Sequence, residues 1–363
     1  MSENRTYGYQ PETVSPPGDT LLELLETIGM SQAELAERAG RPTKTINEII
    51  KGKAAVTPET ALQLERVLGV PASFWNNRER NYREALARKA EQHRLRGYLE
   101  WLDQLPIKAM SKVGWIRFCS DPVEQLREAL NFFGVASPGQ CKELWAQNAA
   151  FRKSRIFAVN PWAIAAWLRK GGIEAQNVNC EPFNPSEFNS SLQQIRHLSR
   201  YTPEHFQPQM QSICSKVGVA VVFVPELPRT RVWGATLWLT PTKALIQLSL
   251  RYKTDDHLWF TFFHEAGHVL LHGKKDIFVE YGEAENGKEH EADRFAANML
   301  IPESQYKKIV NTTNLSKVQI VRFAERLGIS PGIVVGRLQH NKRISPDRFN
   351  DLKRHFSWAS EDS

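Results

Sequence analysis

The sequence predicts an α+β protein with three parts: an all-α helix-turn-helix domain, a helical middle region and a carboxyl-terminal domain with a small β-sheet. Helical segments with clear start and stop residues fill 18–75. Continuous β-branched and apolar runs at 219–224, 235–239 and 244–250 predict the strands. A His-Glu-Ala-Gly-His motif at 264–268 then lies between two apolar runs, which is typical of a buried helix.

Length, charge and cysteine content limit the class of protein. A chain of 363 residues suggests two or three domains, and 41% hydrophobic residues fit a globular protein. The net charge of +7 favours an anionic partner such as nucleic acid. The four cysteines form no C-x-x-C pair, which argues against a disulfide framework and favours a reducing cytoplasm. The sequence shows neither a signal-peptide core nor a membrane-spanning apolar stretch, so we expect a cytoplasmic protein with no membrane partner.

Shifts in composition mark the expected domain boundaries. The first residues are polar and proline-rich, and β-branched runs begin only after Met210. The stretch 78–96 holds seven basic side chains against three acidic ones. The six predicted segments are a flexible arm (1–17), the helix-turn-helix domain (18–75), a basic helical connector (76–105), the helical middle region (106–205), the domain with the sheet and the His-Glu motif (206–302) and a helical extension (303–363).

Local capping signals delimit the helices of the amino-terminal domain. The expected start and stop residues are Ser31 and Gly40 for the second helix, Thr43 and Ile50 for the third, Pro58 and Gly69 for the fourth, and Ser73 for the start of a fifth. A serine-capped helix, a short turn with glycine and a polar helix in succession form a helix-turn-helix arrangement.

The third helix of this arrangement is expected to lie in the major groove of DNA. Ile46, Ile49 and Ile50 would turn inward. The exposed side chains predicted to face base edges are Thr43, Lys44, Asn47 and Lys51. Ser31 and Gln32, at the start of the second helix, are predicted to contact a phosphate. The alternative interpretation is a small helical interaction module that does not contact DNA.

This amino-terminal segment resembles the XRE-type helix-turn-helix proteins, and especially the HigA-like antitoxin-type regulators. The stretches that carry the resemblance are 17–24, 29–36, 45–53, 56–61 and 68–69 with 74–75. The resemblance implies binding to double-stranded DNA. We expect the protein to bind as a homodimer, with half-sites roughly 34 Å apart.

The motif at 264–268 predicts a metal site. On a helix, His264 and His268 lie one turn apart on the same face, so that two neutral imidazoles can share one zinc ion. Glu265 lies beside them and can accept a proton from water. Two alternatives stay open: the histidines are ordinary core residues, or the metal site is intact but catalytically silent and serves structure or sensing.

A carboxylate from a later helix can complete the ligand set. Glu289 is the preferred candidate and Glu291 the competing one, because sequence does not fix the rotation of that helix. Asp293, four residues after Glu289, is placed to orient a ligand histidine. Cys180 and Cys214 are either candidates for a removable fourth ligand or buried structural cysteines.

From Cys214 onward the chain resembles the ImmA/IrrE metallopeptidases, which regulate transcription by cutting repressor proteins. The stretches that carry the resemblance are 225–228, 244–253, 255–257, 262–268 and 289–302. It implies a zincin-like domain and a Zn2+-dependent endopeptidase that cleaves a repressor or antitoxin-type protein. The implied ligands are His264, His268 and Glu289, with Glu265 as the catalytic base. The rival hypothesis is a non-enzymatic HigA-like repressor or antitoxin whose zincin fold is a sensor or scaffold.

Five further polar residues near the motif have two interpretations each. Arg251, Tyr252 and His257 precede the helix and either stabilise an oxyanion or are ordinary surface residues. His272 and His290 flank the motif and the later helix, and either support the metal ligands or are incidental.

Overall fold

The computed structural model describes residues 15–146, 160–274, 277–280, 287–312 and 315–358. By its internal contacts the chain divides into two compact units, Met1–Leu99 and Glu100–Ser363. Most of the predicted arm (1–14) and part of the predicted middle region (147–159) lie outside the described residues. Within the described ranges, no helix combines the length and the apolar character needed to cross a bilayer.

The described part of the first unit is all α-helical. Its helices are α1 (Pro17–Ile28), α2 (Gln32–Ala39), α3 (Thr43–Ile50), α4 (Pro58–Leu68) and α5 (Ala72–Arg96). Their apolar faces enclose one core, which includes Leu21, Leu35, Ile46, Leu64 and Trp75. The predicted order of helix, capped helix, turn and polar helix is confirmed.

Local signals set the geometry of α1 to α3. The Ser31 hydroxyl accepts a hydrogen bond from the Glu34 backbone N–H at 3.2 Å, and Gly40 ends α2 in the left-handed conformation with φ 63°. Gly18 allows α1 to approach α3 backbone to backbone, since a Cβ there would lie 2.3 Å from the carbonyl oxygen of Ile49.

The long helix α5 differs from the sequence prediction. Ser73 was expected to cap a new helix, but Pro71 occupies the cap position and makes no side-chain cap hydrogen bond. The helix then continues to Arg96 because no glycine or proline interrupts it. The predicted boundary between residues 75 and 76 therefore falls inside one continuous helix.

The second unit contains helices on both sides of a small sheet. Its helices are α6 (Ile107–Lys112), α7 (Pro122–Phe133), α8 (Pro138–Cys141), α9 (Pro161–Gln176), α10 (Pro185–Leu198), α11 (Pro203–Ser215), α12 (Asp255–Leu271), α13 (Gly287–Leu300), α14 (Glu303–Val310), α15 (Lys317–Leu327) and α16 (Pro331–His340). Short 3-10 helices cover Leu99–Gln104 and Asn350–Leu352, and a π-helical turn covers Lys142–Ala146.

Among the described residues the sheet has four strands, in the spatial order β1-β3-β2-β4. They are β1 (Val219–Phe223), β2 (Gly234–Thr240), β3 (Lys243–Leu248) and β4 (Phe278–Glu280). β1 and β3 run parallel, whereas β2 is antiparallel to both β3 and β4. The three predicted strands and the α+β class are confirmed; the short β4 was not predicted.

Alternating side chains divide the sheet between two cores. Val219 and Val221 belong to the core that contains α12, whereas Ala220 and Val222 belong to the core on the opposite face with Trp167 of α9. The first core also includes residues after position 302, among them Ile320, Leu338 and Phe356. The helix that carries the His-Glu motif is thus held between the sheet and the carboxyl-terminal helices.

The first turn of α12 is fastened by the carboxyl-terminal segment. The fully buried carboxylate of Asp255 accepts hydrogen bonds from the Ser330 hydroxyl and from Arg354, whose backbone N–H lies 3.1 Å and Nε 3.3 Å away. The Phe356 N–H donates to the Lys253 carbonyl at 2.7 Å. These contacts fix the start of the helix on which the metal group is built.

Candidate metal centre

Three predicted ligands converge between α12 and α13. His264 and His268 lie on one face of α12, Glu289 lies in the first turn of α13, and all three are buried. The two Nε2 atoms are 3.0 Å apart. Glu289 Oε2 lies 3.1 Å from His264 Nε2 and 3.2 Å from His268 Nε2.

This donor set fits a zinc ion. Ligand atoms bound at 2.0–2.1 Å to a tetrahedral zinc lie about 3.3 Å from one another, close to the observed separations of 3.0 to 3.2 Å. Two imidazole nitrogens and a carboxylate oxygen that cluster in one buried place favour a cation there. Within the described residues the group contains three protein ligands, the number typical of catalytic zinc sites.

Small residues let the two helices approach closely enough to bring these ligands together. A Cβ on Gly267, inside the motif, would lie 3.2 Å from the Ala292 Cα and 3.2 Å from the Phe295 ring. A larger residue at 267 would push α13 away, and Glu289 with it. The apolar residues around the motif, such as Phe262 and Phe263, are fully buried and fix the rotation of α12.

Each histidine contacts a second polar group through its Nδ1 atom. His264 Nδ1 lies 2.9 Å from Asp293 Oδ1, where the sequence had placed an orienting residue. His268 Nδ1 lies 2.8 Å from His272 Nδ1, and His272 Nε2 lies 3.1 Å from Glu291 Oε2. The rival carboxylate Glu291 is therefore directed at His272 and not at the ligand group.

These contacts are consistent with one assignment of protons to the imidazole nitrogens of His268 and His272. If the Nε2 lone pair of His268 faces a metal ion, its Nδ1 carries the proton and donates to His272 Nδ1. His272 then carries its own proton on Nε2 and donates it to the Glu291 carboxylate. The exposed His290 is not part of this chain of hydrogen bonds.

The base candidate Glu265 is held by strand β2. Its side chain is fully buried, and the Thr236 hydroxyl donates to its Oε2 at 2.6 Å. A Cβ on Gly234 would lie 2.7 Å from Glu265 Oε1, so only glycine leaves room for the carboxylate. Sequence reasoning missed both residues, because nothing in the chain pattern links β2 to this turn of α12.

Strand β4 contributes a further contact that the sequence did not predict. The Phe278 ring stacks on His268 with 4.0 Å between ring centroids and 17° between planes. The sequence feature that could have predicted this strand is a short apolar run, Ile277 to Val279, before α13. This run is too short to be distinguished from a loop by its periodicity.

The two cysteines proposed as extra ligands lie apart from this group. Cys214 is fully buried in the core of the second unit, where burial raises the pKa of its thiol. Burial also raises the pKa of Cys180, which the charge of Lys243 partly offsets. Neither belongs to the three-residue group found among the described residues.

In the first unit, the predicted DNA-contacting residues share one surface. Thr43, Lys44, Lys51 and Ser31 are exposed, while Asn47 and Gln32 are half-buried. The Asn47 side-chain amide donates to Gln32 Oε1 at 3.4 Å, which links α3 to the start of α2. Ile46 and Ile49 are buried on the opposite side of α3, as predicted, whereas Ile50 is only half-buried against the same core.

One residue of the basic stretch, Arg78, contacts the segment at the start of α1. Arg78 donates to the hydroxyls of Ser15 at 2.8 Å and Thr20 at 3.1 Å. It therefore ties α5 to the beginning of α1, whereas Arg80 stays exposed.

Comparison with known proteins identifies both units. Residues 21–75 match the family model HTH_3, described as helix-turn-helix, and residues 214–339 match Peptidase_M78, described as the IrrE N-terminal-like domain. The uncharacterized HTH-type transcriptional regulator YddM of Escherichia coli is 35% identical over 73 residues, which are 20% of this chain and 78% of that protein. The chain is an HTH-type transcriptional regulator joined to an IrrE-like domain.

Other similar proteins also match only a part of this chain. Virulence-associated protein A of Dichelobacter nodosus is 37% identical over 59 residues, 16% of this chain and 58% of that protein. Two solved structures resemble about a quarter of the chain: the Pseudomonas aeruginosa antitoxin HigA with higBA promoter (28% identity, 23% of this chain, 90% of that chain, TM-score 0.22) and a HigA-family addiction module antidote protein from Coxiella burnetii (29%, 23%, 92%, 0.22).

The IrrE-like match contains the whole candidate metal group. His264, His268 and Glu289 all lie inside residues 214–339. The expected fusion of a helix-turn-helix unit to an ImmA/IrrE-type unit is confirmed. The chain thus contains a domain of a metallopeptidase family that is typically metal-dependent, with a buried group that can hold a metal.

Proposed function

We propose that this regulator binds operator DNA through its helix-turn-helix unit, and that its IrrE-like domain is a zinc endopeptidase that cleaves a repressor or antitoxin-type protein. One observation carries the enzymatic part. Three ligand atoms lie 3.0 to 3.2 Å apart, and the buried carboxylate of Glu265 follows one of them directly in the chain.

In the proposed mechanism, His264, His268 and Glu289 would hold the metal ion. When bound there, zinc would act as a Lewis acid that lowers the pKa of water and polarises the scissile carbonyl. Glu265 accepts a proton from the attacking water and then delivers it to the leaving amine. The hydroxyl of Thr236 holds the Glu265 carboxylate in place for both transfers.

The arrangement around Glu265 favours this enzyme over a silent metal site. A buried carboxylate is costly, because the charge loses its hydration. A sensor or scaffold needs the three ligands but has no use for a second buried acid, Glu265, beside Glu289. Gly234 and Thr236 nevertheless provide Glu265 with room and a hydrogen-bond donor.

The DNA-binding part rests on the helix-turn-helix unit and its exposed polar surface. Thr43, Lys44 and Asn47 lie on the face of α3 opposite its buried isoleucines, and Lys51 follows directly at the end of the helix. Such a helix can place its side chains on base edges in the major groove. Ser31 and Gln32 would contact a phosphate at the start of α2. We propose that the protein acts on DNA as a homodimer.

The variant Glu265→Gln tests the proposal, with the exposed Glu325→Gln as its matched control. An amide keeps the size of the side chain but does not accept the proton of water. Zinc content and DNA affinity should stay near wild type, while cleavage of the proteins encoded beside its gene falls by about two orders of magnitude or more. Normal control of the target promoter by Glu265→Gln would show that cleavage is not the mechanism and would favour the non-enzymatic repressor.

A further inference from the structure

A small pocket lies at the start of α12 on the face that carries the metal group. Its walls include Trp233, Arg251, Thr254, His257 and Thr261. His257 precedes His264, and Thr261 precedes His268, by seven residues. Two turns of helix bring residues back to the same face, roughly 10 Å along the axis. The pocket therefore continues the metal-bearing face of α12 toward its amino end.

Three buried polar atoms at this pocket have no hydrogen-bond partner in the part of the chain that the structure describes. They are Trp233 Nε1, Arg251 Nη1 and Thr254 Oγ1. Buried polar groups are nearly always paired in folded proteins, so three unpaired ones in one small pocket point to a missing partner. The indole and the guanidinium can only donate, and the partner must therefore be a hydrogen-bond acceptor.

The positive charge of the pocket lining indicates that this acceptor is an anion. The lining contains Arg251 and Lys253 and no carboxylate. The Arg251 guanidinium lies against two rings, 5.9 Å from the Trp233 centroid and 5.4 Å from that of Tyr252. Tyr252 in turn stacks on His257 at 4.2 Å. The aromatic contacts hold the cation in place without neutralising it.

The pocket lies next to the proposed catalytic base. Thr261 forms part of its wall, and a Cβ on Gly234 would lie 2.6 Å from Thr261 Cγ2 and 2.7 Å from Glu265 Oε1. Thr261 and Glu265 therefore pack side by side against Gly234, the residue that follows Trp233. The free room inside is about 10 Å³, which accommodates one water-sized group such as a carboxylate oxygen.

We propose that this pocket is a subsite for a carboxylate of the peptide substrate. The proposal rests on the peptidase function proposed above. A separation of roughly 10 Å from the ligand histidines corresponds to about three residues of an extended peptide. The carboxylate would come either from an acidic side chain near the scissile bond or from a free carboxyl terminus of the substrate.

Binding to the zinc-loaded full-length Glu265→Gln protein tests the subsite without relying on cleavage. The probes are fluorescein-labelled alanine-rich decapeptides with a central Glu or Gln and an amidated end, and all-alanine decapeptides with a free or amidated end. We expect at least one carboxylate peptide to bind about tenfold more tightly than its amide twin, as for a charged hydrogen bond. Preference for the Glu peptide identifies a side chain as the source, and preference for the free end identifies the terminus.

Second substitutions in the Glu265→Gln protein locate the effect. Arg251→Met keeps an extended apolar side chain and should abolish the preference, and Trp233→Phe, which removes only the indole donor, should reduce it several-fold. The exposed Arg343→Met is the matched control and should change nothing. Equal binding of carboxylate and amide peptides, or a preference that survives Arg251→Met, overturns the subsite.

The outcomes for the subsite and for the peptidase are distinguishable. If the wild type cleaves no protein while the Arg251-dependent preference persists, the subsite stands and the proposed enzyme fails. If the wild type cleaves its substrate and the preference is absent, the enzyme stands and the subsite fails.

Discussion

His268 and His272 face each other through their Nδ1 atoms at 2.8 Å. On the other side of the group, His264 Nδ1 lies 2.9 Å from Asp293. Both hydrogen-bonded chains end in carboxylates of α13, because His272 contacts Glu291. The same helix therefore supplies the candidate ligand Glu289 and the outer partners of both histidines.

Replacing His272 tests the importance of this outer contact. His272→Ala should weaken zinc affinity by about 10- to 100-fold, the usual effect of losing an orienting partner. Zinc affinity is measured by competition with a chromophoric chelator, and the exposed His290→Ala is the control. His272→Gln, which can still accept from His268, should restore part of the loss. Unchanged affinity in His272→Ala would make the contact incidental.

The ligand assignment predicts unequal effects for the two neighbouring glutamates. Glu289→Ala removes a ligand atom and should nearly abolish zinc binding, as should His264→Ala or His268→Ala. Glu291→Ala acts only through His272 and should cost far less. Metal analysis of the purified variants measures both. Equal losses, or a larger loss from Glu291→Ala, would transfer the ligand role to Glu291.

Gly234→Ala should impair the proposed base Glu265 without affecting metal binding. The added methyl would collide with the Glu265 carboxylate and with Thr261, so that the base moves while the ligands on α12 and α13 stay in place. We expect peptidase activity to fall by about 100-fold with zinc content retained. Gly172→Ala is the matched control, because its Cβ would meet no atom within 4 Å. Full activity in Gly234→Ala would contradict the assigned position of the base.

Substitutions on the first unit should divide into three classes by their effect. Lys44→Ala and Asn47→Ala should change which DNA sequences are preferred, because these side chains face the bases in the proposed complex. Arg80→Ala should weaken binding evenly and reduce the salt slope by about one. Arg78→Ala should instead lower the melting temperature of the unit, since Arg78 joins α5 to Thr20. Binding of the full chain to a randomised DNA library would refute this assignment if Lys44→Ala and Asn47→Ala left the preference unchanged.

The buried cysteines predict a dependence on alkaline pH. Burial raises the pKa of Cys141 to about 12 from its ordinary 9.0 and also raises that of Cys214. Below pH 9 the thiols are neutral in both folded and unfolded chains; above it the unfolded chain ionises first, so stability is lost as pH rises toward 12. Iodoacetamide at pH 8 should label the half-buried Cys119 well before Cys141. Equal labelling rates would contradict this.

Residues that act on their immediate neighbours were predictable from the sequence. Ser31, Gly40 and Pro58 set helix ends through contacts within one turn, and these ends agree with the structure. The spacing of His264 and His268 likewise fixes their common face. Ser73 misled the prediction, because it lies two residues after Pro71, where the helix has already begun, and so does not act as a cap.

Contacts between distant segments were not predictable in the same way. Thr236 and Gly234 meet Glu265 only after β2 has paired with β3 and the sheet has packed on α12. The partnership of His272 with Glu291 depends on the rotation of α13, which sequence spacing leaves open. Both contacts result from tertiary packing, and no periodic pattern in the sequence indicates them.

The anchoring of Asp255 has a consequence for dividing the gene into parts. The similarity to the IrrE-like family ends at residue 339, yet Arg354 and His355 pair with Asp255 and Thr254 at the opening turn of the motif helix. A fragment stopped at 339 would keep every candidate metal ligand but leave the Asp255 carboxylate buried without its cation. The limit of family likeness is therefore not a limit of independent folding, and expression of the isolated IrrE-like domain should extend through Phe356.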